Sequence, residues 1–287
     1  ITIAIPAYRN VESLTRAIES VIQLKDMGIK WSLLISEDYS EKHKEIESLI
    51  KKYDHENITY VCHNPRLGMA ANWNYCVENS QTEIVALLHD DDYLLEDYLI
   101  YVKRILESEE DWDGIVFSHL FEIDGIILNN KTSVIKKYLM QKKKEKIRKL
   151  SHWDYILGGF NYLMIPTCGI LLKRSAFIRQ GGYKEEDGFS VDEIFIERFI
   201  SEGGIILHYD VLSGGYTYTS KKNLSSNREI QRKFVKENCI HRQEISRRNL
   251  FSKIIIHIFD KSMMLWQMGK WRKVLFPDIK RTYRDIV

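Results

Sequence analysis

The first half of the chain alternates uninterrupted apolar runs with stretches in which apolar residues recur every three or four positions. Thr2 to Pro6, Trp31 to Ser36, Ile58 to Cys62 and Glu83 to Leu88 are apolar runs of strand length. Between them, Asn10 to Leu24 places Val11, Leu14, Ala17, Ile18, Val21 and Ile22 on one helical face. Glu41 to Tyr53 does the same with Ile46, Leu49 and Ile50, and Met69 to Asn79 reads as a third helix. Strands without polar alternation are buried on both faces. Alternated with amphipathic helices, they predict a parallel, doubly wound α/β sheet.

The pattern is less regular beyond residue 110. Gly114 to Phe117, Ile165 to Leu172 and Ile205 to His208 read as strands. Arg174 to Gln180 and Val191 to Ser201 read as helices, each followed by a Gly-Gly pair that ends it. Lys131 to Lys149 holds nine basic residues and one acidic residue, and is expected to be an exposed basic helix or a loop. Ser213 to Asn227, rich in Gly, Ser, Thr and Asn, is expected to be a flexible loop. The last 60 or so residues read as basic helices.

Composition narrows the class. With 287 residues and 44% hydrophobic content, the chain can bury one sizeable core. Its four cysteines form no CxxC pair, so neither a zinc knuckle nor a disulfide framework is expected, and a reducing, cytoplasmic setting fits. No run of apolar residues is long enough to span a bilayer. The net charge of +2 is unevenly spread. From residue 221 onward there are 17 Lys and Arg against 6 Asp and Glu, on an otherwise acidic body. A basic tail suits an anionic partner, such as the inner face of the cell membrane; solvated helix faces explain it equally well.

Ligands of parallel α/β sheets bind beyond the carboxyl ends of the strands. Pro6, Ala7, Tyr8, Arg9 and Asn10 follow the first strand, Glu37 and Asp38 the second, and His89, Asp90, Asp91 and Asp92 the fourth. Three successive aspartates repel one another unless a cation or hydrogen-bond donors compensate. Their hard oxygens suit Mn²⁺ or Mg²⁺, which bridges carboxylates to a substrate phosphate. A solvated acidic turn capping the next helix is the competing reading. Arg66 could reach a phosphate or simply occupy an exposed loop. Trp73 and Tyr75 read as packing residues, and His63, His119 and His208 as structural histidines.

Five segments, in order, resemble the family 2 glycosyltransferases, whose catalytic domain has the GT-A fold. They are Ile3 to Asn10, Ser36-Glu37-Asp38-Tyr39-Ser40, Asn64 to Asn74, Leu88 to Asp92, and Val191-Asp192-Glu193 with Arg198. The resemblance runs from Ile1 to about Ser225 and implies a Rossmann-like, mostly parallel sheet flanked by helices, with a helical C-terminal extension. It implies a catalytic domain over 1–225, with a nucleotide-binding half (1–119) and an acceptor-binding half (120–225), followed by a basic helical region over 226–287. Pro6, Ala7, Tyr8, Asn10, Glu37, Asp38, Arg66, Asn74 and Asp90 would line the nucleotide-sugar site. Asp38 would hydrogen-bond the base, Asp91 and Asp92 would hold Mn²⁺ or Mg²⁺, and Asp192 would be the catalytic base. By its position alone, Thr167-Cys168-Gly169 would line the acceptor side of the cleft.

Four departures from the family pattern stand out. Glu37 replaces an aspartate, His89 stands at the first position of the DXD-type motif, Val191 precedes Asp192 where an acid is common, and Ser220 occupies the place of a histidine. The Gln-x-x-Arg-Trp motif of the processive synthases is absent, which favours single addition. The resemblance therefore implies inverting transfer from a nucleotide sugar, by family habit UDP-linked, to a saccharide, lipid-linked or protein-linked acceptor in surface polysaccharide or glycoconjugate synthesis. Nucleic acid is not an expected partner. The C-terminal helices would pack, pair in a homodimer or touch a membrane. The competing functions are a sugar nucleotidyltransferase, disfavoured because Ala7-Tyr8-Arg9-Asn10 is not a Gly-rich basic loop, and a degenerate nucleotide-sugar binding module.

Overall fold

The structure, a computed structural model, describes residues 1–53, 56–123, 125–127, 145–151, 154 and 167–218. Most of the basic segment from Lys131, Ser220 and the whole 226–287 region lie outside these residues.

Four strands build the N-terminal part of the sheet: β1 (Thr2–Ala7), β2 (Ser32–Asp38), β3 (Ile58–His63) and β4 (Ile84–Leu87). They pair in parallel in the order β3-β2-β1-β4. Helices α1 (Val11–Ile22), α2 (His43–Ile50) and α3 (Met69–Glu78) connect them, close to the expected boundaries. The chain then adds β5 (Tyr93–Leu94), α4 (Tyr98–Leu106), β6 (Gly114–Ile123), β7 (Ile126–Ile127), β8 (Ile147–Lys149) and β9 (Ile170–Lys173). After these come α5 (Arg174–Arg179), a 3₁₀ segment (Glu185–Ser190), α6 (Val191–Ser201) and β10 (Ile206–Tyr218).

Period-2 alternation along β1 divides the core in two. Ile3, Ile5 and Ala7 join Leu14, Ala17, Ile18 and Val21 of α1, Ile46 of α2 and Leu99 and Val102 of α4. Ala4 turns to the other face, where Ala70 and Val77 of α3, Phe177 of α5 and Phe195 of α6 lie. The sheet is thus covered on both faces, as its uniformly apolar strands require.

Strand β9 runs antiparallel between β4 and β6, so the sheet is mixed, though mostly parallel. Its apolar run is compatible with either direction.

Two expectations are corrected. Residues 213–218, expected in a flexible loop, continue β10 alongside β6 and β5. Gly214 and Gly215 are there for close approach. A Cβ on Gly214 would lie 2.7 Å from the Tyr93 carbonyl oxygen, and one on Gly215 2.1 Å from the Tyr93 ring. Residues 147–149, expected in a basic helix or loop, form β8 against β10, with Ile147 packed on the core and Leu150 buried.

Because β5 directly follows Asp92, the glycines also position the acidic run. Gly214→Ala should destabilise the protein by about 1–3 kcal/mol, the usual cost of overpacking, and weaken Mn²⁺ binding with it. Chemical denaturation and metal titration check this; an unchanged midpoint would contradict the close packing.

Candidate active site

The strand order reverses at β1: the chain steps outward from it to β2 and β3 on one side and then returns to place β4 on the other. Open α/β sheets bind ligands in the crevice at such a switch point, here at the carboxyl ends of β1 and β4. The acidic run enters it directly after β4, and the Tyr8 N–H just past β1 donates to Asp90 Oδ2 at 2.7 Å. Asp90 thereby ties the two strand ends together.

Asp92 is fully buried. Its Oδ1 accepts the Thr217 N–H of β10 at 2.9 Å, and its Oδ2 has no hydrogen-bond partner among the described residues. His89 Nδ1 lies 3.7 Å from that orphaned oxygen, and His89 Nε2 is likewise buried and unpartnered among the described residues. The His89 ring stacks on Trp73 of α3, with centroids 4.4 Å apart, which fixes its plane. Potential ligand atoms of His89, Asp91 and Asp92 lie within 4.8 Å of one another. Two carboxylates, an imidazole and two orphaned buried polar atoms fit a divalent cation.

The electrostatics agree. Burial, reinforced by the neighbouring Asp91 charge, pushes Asp90 and Asp92 well above the usual carboxylate range. Asp91 is also raised, chiefly by burial. Burial lowers His89 despite the charges of Asp91 and Asp192, leaving it the neutral imidazole that a metal needs.

These shifts set a pH dependence. Between the unfolded carboxylate pKa values and the raised folded ones, the metal-free native state holds more protons than the unfolded chain. The contribution of these groups to stability is therefore fullest at low pH and falls as pH rises. A cation requires the deprotonated ligands, so its stabilisation should grow in the same direction. Mn²⁺ is expected to raise the Tm more at about pH 8 than at about pH 5, because the higher pH favours the deprotonated ligands. Scanning calorimetry checks this; a Mn²⁺ shift independent of pH would contradict the ligand assignment.

Arg16 of α1 supports the run from below. Its guanidinium donates to the Asp91 carbonyl at 3.3 Å and to the Thr217 hydroxyl, pairs with Glu122 at 3.0 Å, and lies over the Tyr93 ring. Nothing in the local sequence of α1 singles Arg16 out.

Asp192 is the second residue of α6, where the helix N-terminus favours carboxylate charge. Its Oδ2 accepts the Thr167 hydroxyl at 3.0 Å and its Oδ1 the Glu193 N–H at 2.9 Å. Its charge acts on both His89 and Tyr216, and the charges of Asp91 and Asp92 also reach Tyr216. The candidate base and the candidate metal ligands thus share one crevice. Tyr216 lies in the stretch expected to be a loop, so sequence reading missed it.

The remaining candidates are placed as follows. Asp38 Oδ1 accepts the Leu67 N–H at 2.7 Å, and its Oδ2 pairs with Arg66 Nε at 3.2 Å. Arg66, half exposed, also lies over the Tyr8 ring, which Arg9 approaches too. Pro6 and Ala7 complete β1, and Asn10 precedes α1 without a side-chain capping bond. Asn74 uses both ends of its amide on the Tyr183 backbone, linking α3 to the segment before α6. Glu37 alternates with Asp38 along β2 and faces α2 instead, against His43 and Tyr60. His63 bonds the Ser36 hydroxyl and His119 the Cys168 carbonyl, in keeping with structural roles.

The sequence profile of glycosyl transferase family 2 matches residues 2–165, more than half of the chain, and the chain belongs to that family. No curated protein matches it in sequence. Its fold is that of the GT-A glycosyltransferases. S. aureus TarS 1–349 in complex with UDP-GlcNAc superposes with a TM-score of 0.61 at 12% identity, covering 96% of this chain and 81% of that one. The mannosyltransferase PcManGT from Pyrobaculum calidifontis, in complex with GDP-Man and Mn²⁺, gives 0.60 at 10% identity, covering 99% and 77%. Against the longer TarS chain the TM-score is 0.57 at 11% identity, over 84% of this chain, which spans only 39% of that protein. Among the described residues, no helix is long and apolar enough to cross a membrane.

Proposed function

We propose that the protein transfers a sugar from a nucleotide-sugar donor, UDP-linked by family habit, to an acceptor hydroxyl with inversion at the anomeric carbon, in surface polysaccharide or glycoconjugate synthesis. The observation that carries this reading is the convergence of Asp91, Asp92, His89 and Asp192 on the crevice between β1 and β4.

Asp91, Asp92 and His89 would hold the cation. The imidazole in the set favours Mn²⁺ over Mg²⁺, which is usually held by oxygens alone. When bound, the ion supplies charge stabilisation to the departing diphosphate. Asp90 keeps the ends of β1 and β4 in register around the donor through the Tyr8 N–H. Pro6, Ala7, Tyr8 and Asn10 line the β1 side of the donor site. Arg66 is exposed enough to swing from Asp38 to a phosphate, freeing Asp38 for the base. Glu37 and Asn74 support this site from behind, through α2 and through Tyr183.

Asp192 takes the proton from the acceptor hydroxyl as that oxygen attacks. The Thr167 hydroxyl and the Glu193 N–H fix its carboxylate, which supports its use as an oriented base. The similar structures bound to UDP-GlcNAc and GDP-Man support a nucleotide-sugar donor. Calorimetric titration with UDP and with GDP, with and without Mn²⁺, tests the binding half of the proposal. Micromolar, Mn²⁺-dependent binding of one of them is expected; binding of neither would overturn it.

A further inference from the structure

A second cluster of donor atoms sits on the α2 side of β2 and β3 and shares no residue with the crevice. Glu37 is fully buried. Its Oε2 accepts the Tyr60 hydroxyl and lies 3.0 Å from Nδ1 of His43, the first residue of α2. Its Oε1 is buried and has no partner among the described residues. Cys62 Sγ lies 3.4 Å from the same His43 nitrogen. Ligand atoms of Glu37, His43 and Cys62 all fall within 4.8 Å of one another.

Two independent observations point to a cation here. A carboxylate buried against the Tyr60 hydroxyl, the His43 imidazole and the Cys62 thiol, with its Oε1 still orphaned among the described residues, is incompletely compensated for a buried charge. The donor set is also chemically specific, since one thiolate, one imidazole and one carboxylate suit Zn²⁺ and not Mg²⁺ or Ca²⁺. Tetrahedral Zn²⁺ at ordinary ligand distances has an N···O edge of about 3.3 Å and an N···S edge of about 3.5 Å. The observed 3.0 and 3.4 Å already approach those edges.

We propose that Glu37, His43 and Cys62 form a Zn²⁺ site that clamps the start of α2 to the edge strand β3 and its neighbour β2. Zn²⁺ displaces the Cys62 thiol proton to solvent and forms the Zn–S bond, with no change of oxidation state. Tyr60 keeps its hydrogen bond to Glu37 and orients that carboxylate. The partly exposed side of His43 leaves the fourth position to water. Since Asp38 follows Glu37 in β2, the ion also steadies the strand that carries Asp38.

The test uses the full chain, stripped with a chelator, dialysed and titrated with Co²⁺ as a spectroscopic stand-in for Zn²⁺. A thiolate-to-cobalt charge-transfer band and tetrahedral d–d bands are expected, bleached by Zn²⁺ and, in Asp91→Asn, which lacks a ligand of the other proposed cation site, saturating at one equivalent. Both should disappear in Cys62→Ser and in His43→Gln and persist in Asp91→Asn. No thiolate band in the unaltered protein, or a band that survives either Cys62→Ser or His43→Gln, overturns the site. His43 is partly exposed, so His43→Gln decides the matter if Cys62→Ser fails to fold.

Discussion

Asp192→Asn should abolish most of the sugar transfer while leaving the affinity for the nucleoside diphosphate within about twofold of the original. General-base catalysis contributes about 10²–10⁴-fold, and that is the loss expected in kcat. The substitution is nearly isosteric. The amide oxygen can still accept the Glu193 N–H, and the Thr167 hydroxyl can accept from the amide NH2, so the start of α6 should hold its place. The side chain loses its ability to take a proton, and the helix N-terminus loses a favourable charge worth less than about 1 kcal/mol. Steady-state kinetics with a saturating donor separates the two effects. Near-unchanged transfer would show that some other group accepts the acceptor proton.

The second large effect is expected at Asp91. Removing this carboxylate takes one charged ligand from a site whose remaining donors are Asp92 and the neutral His89. Asp91→Asn should lower transfer about 10²–10³-fold, the range found when one preorganised group facing developing charge is removed. Nucleotide binding should lose its Mn²⁺ dependence at the same time. The metal-free protein should become somewhat more stable at neutral pH, because a carboxylate held toward its neutral form by burial is replaced by a neutral amide. Lower activity combined with higher metal-free stability is the signature of a functional carboxylate. A fall in both would mean that Asp91 serves mainly to hold the fold.

Much of the fold of residues 1–119 was legible because its strands and helices are set by local periodicity. The alternation of β1 to β4 with α1 to α3, the acidic run at the end of β4 and Asp192 at the start of α6 all follow from the pattern of apolar positions and its interruptions. Features with a tertiary cause were not legible. Gly214 and Gly215 have the composition of a loop, yet they serve a strand that must pass close to Tyr93. The antiparallel direction of β9 leaves no mark in its apolar run. Arg16 looks like any polar residue of an amphipathic helix until Glu122 and Thr217, far along the chain, are folded against it. Glu37 and Asp38 were placed together after the second strand. The strand in fact continues through both, and its pleat sends them to opposite faces. The His89 departure reads differently in three dimensions as well: stacked on Trp73 beside Asp92, the ring brings a candidate donor atom to the acidic run.

The most direct measurement is the release of nucleoside diphosphate from a panel of UDP- and GDP-linked sugars by the full chain, with Mn²⁺ and after chelation. Release from at least one donor, strictly dependent on the metal and lost in Asp91→Asn, is the expected result. No turnover of any donor, together with no nucleotide binding in the presence of Mn²⁺, would contradict a metal-dependent glycosyltransfer site in the crevice between β1 and β4.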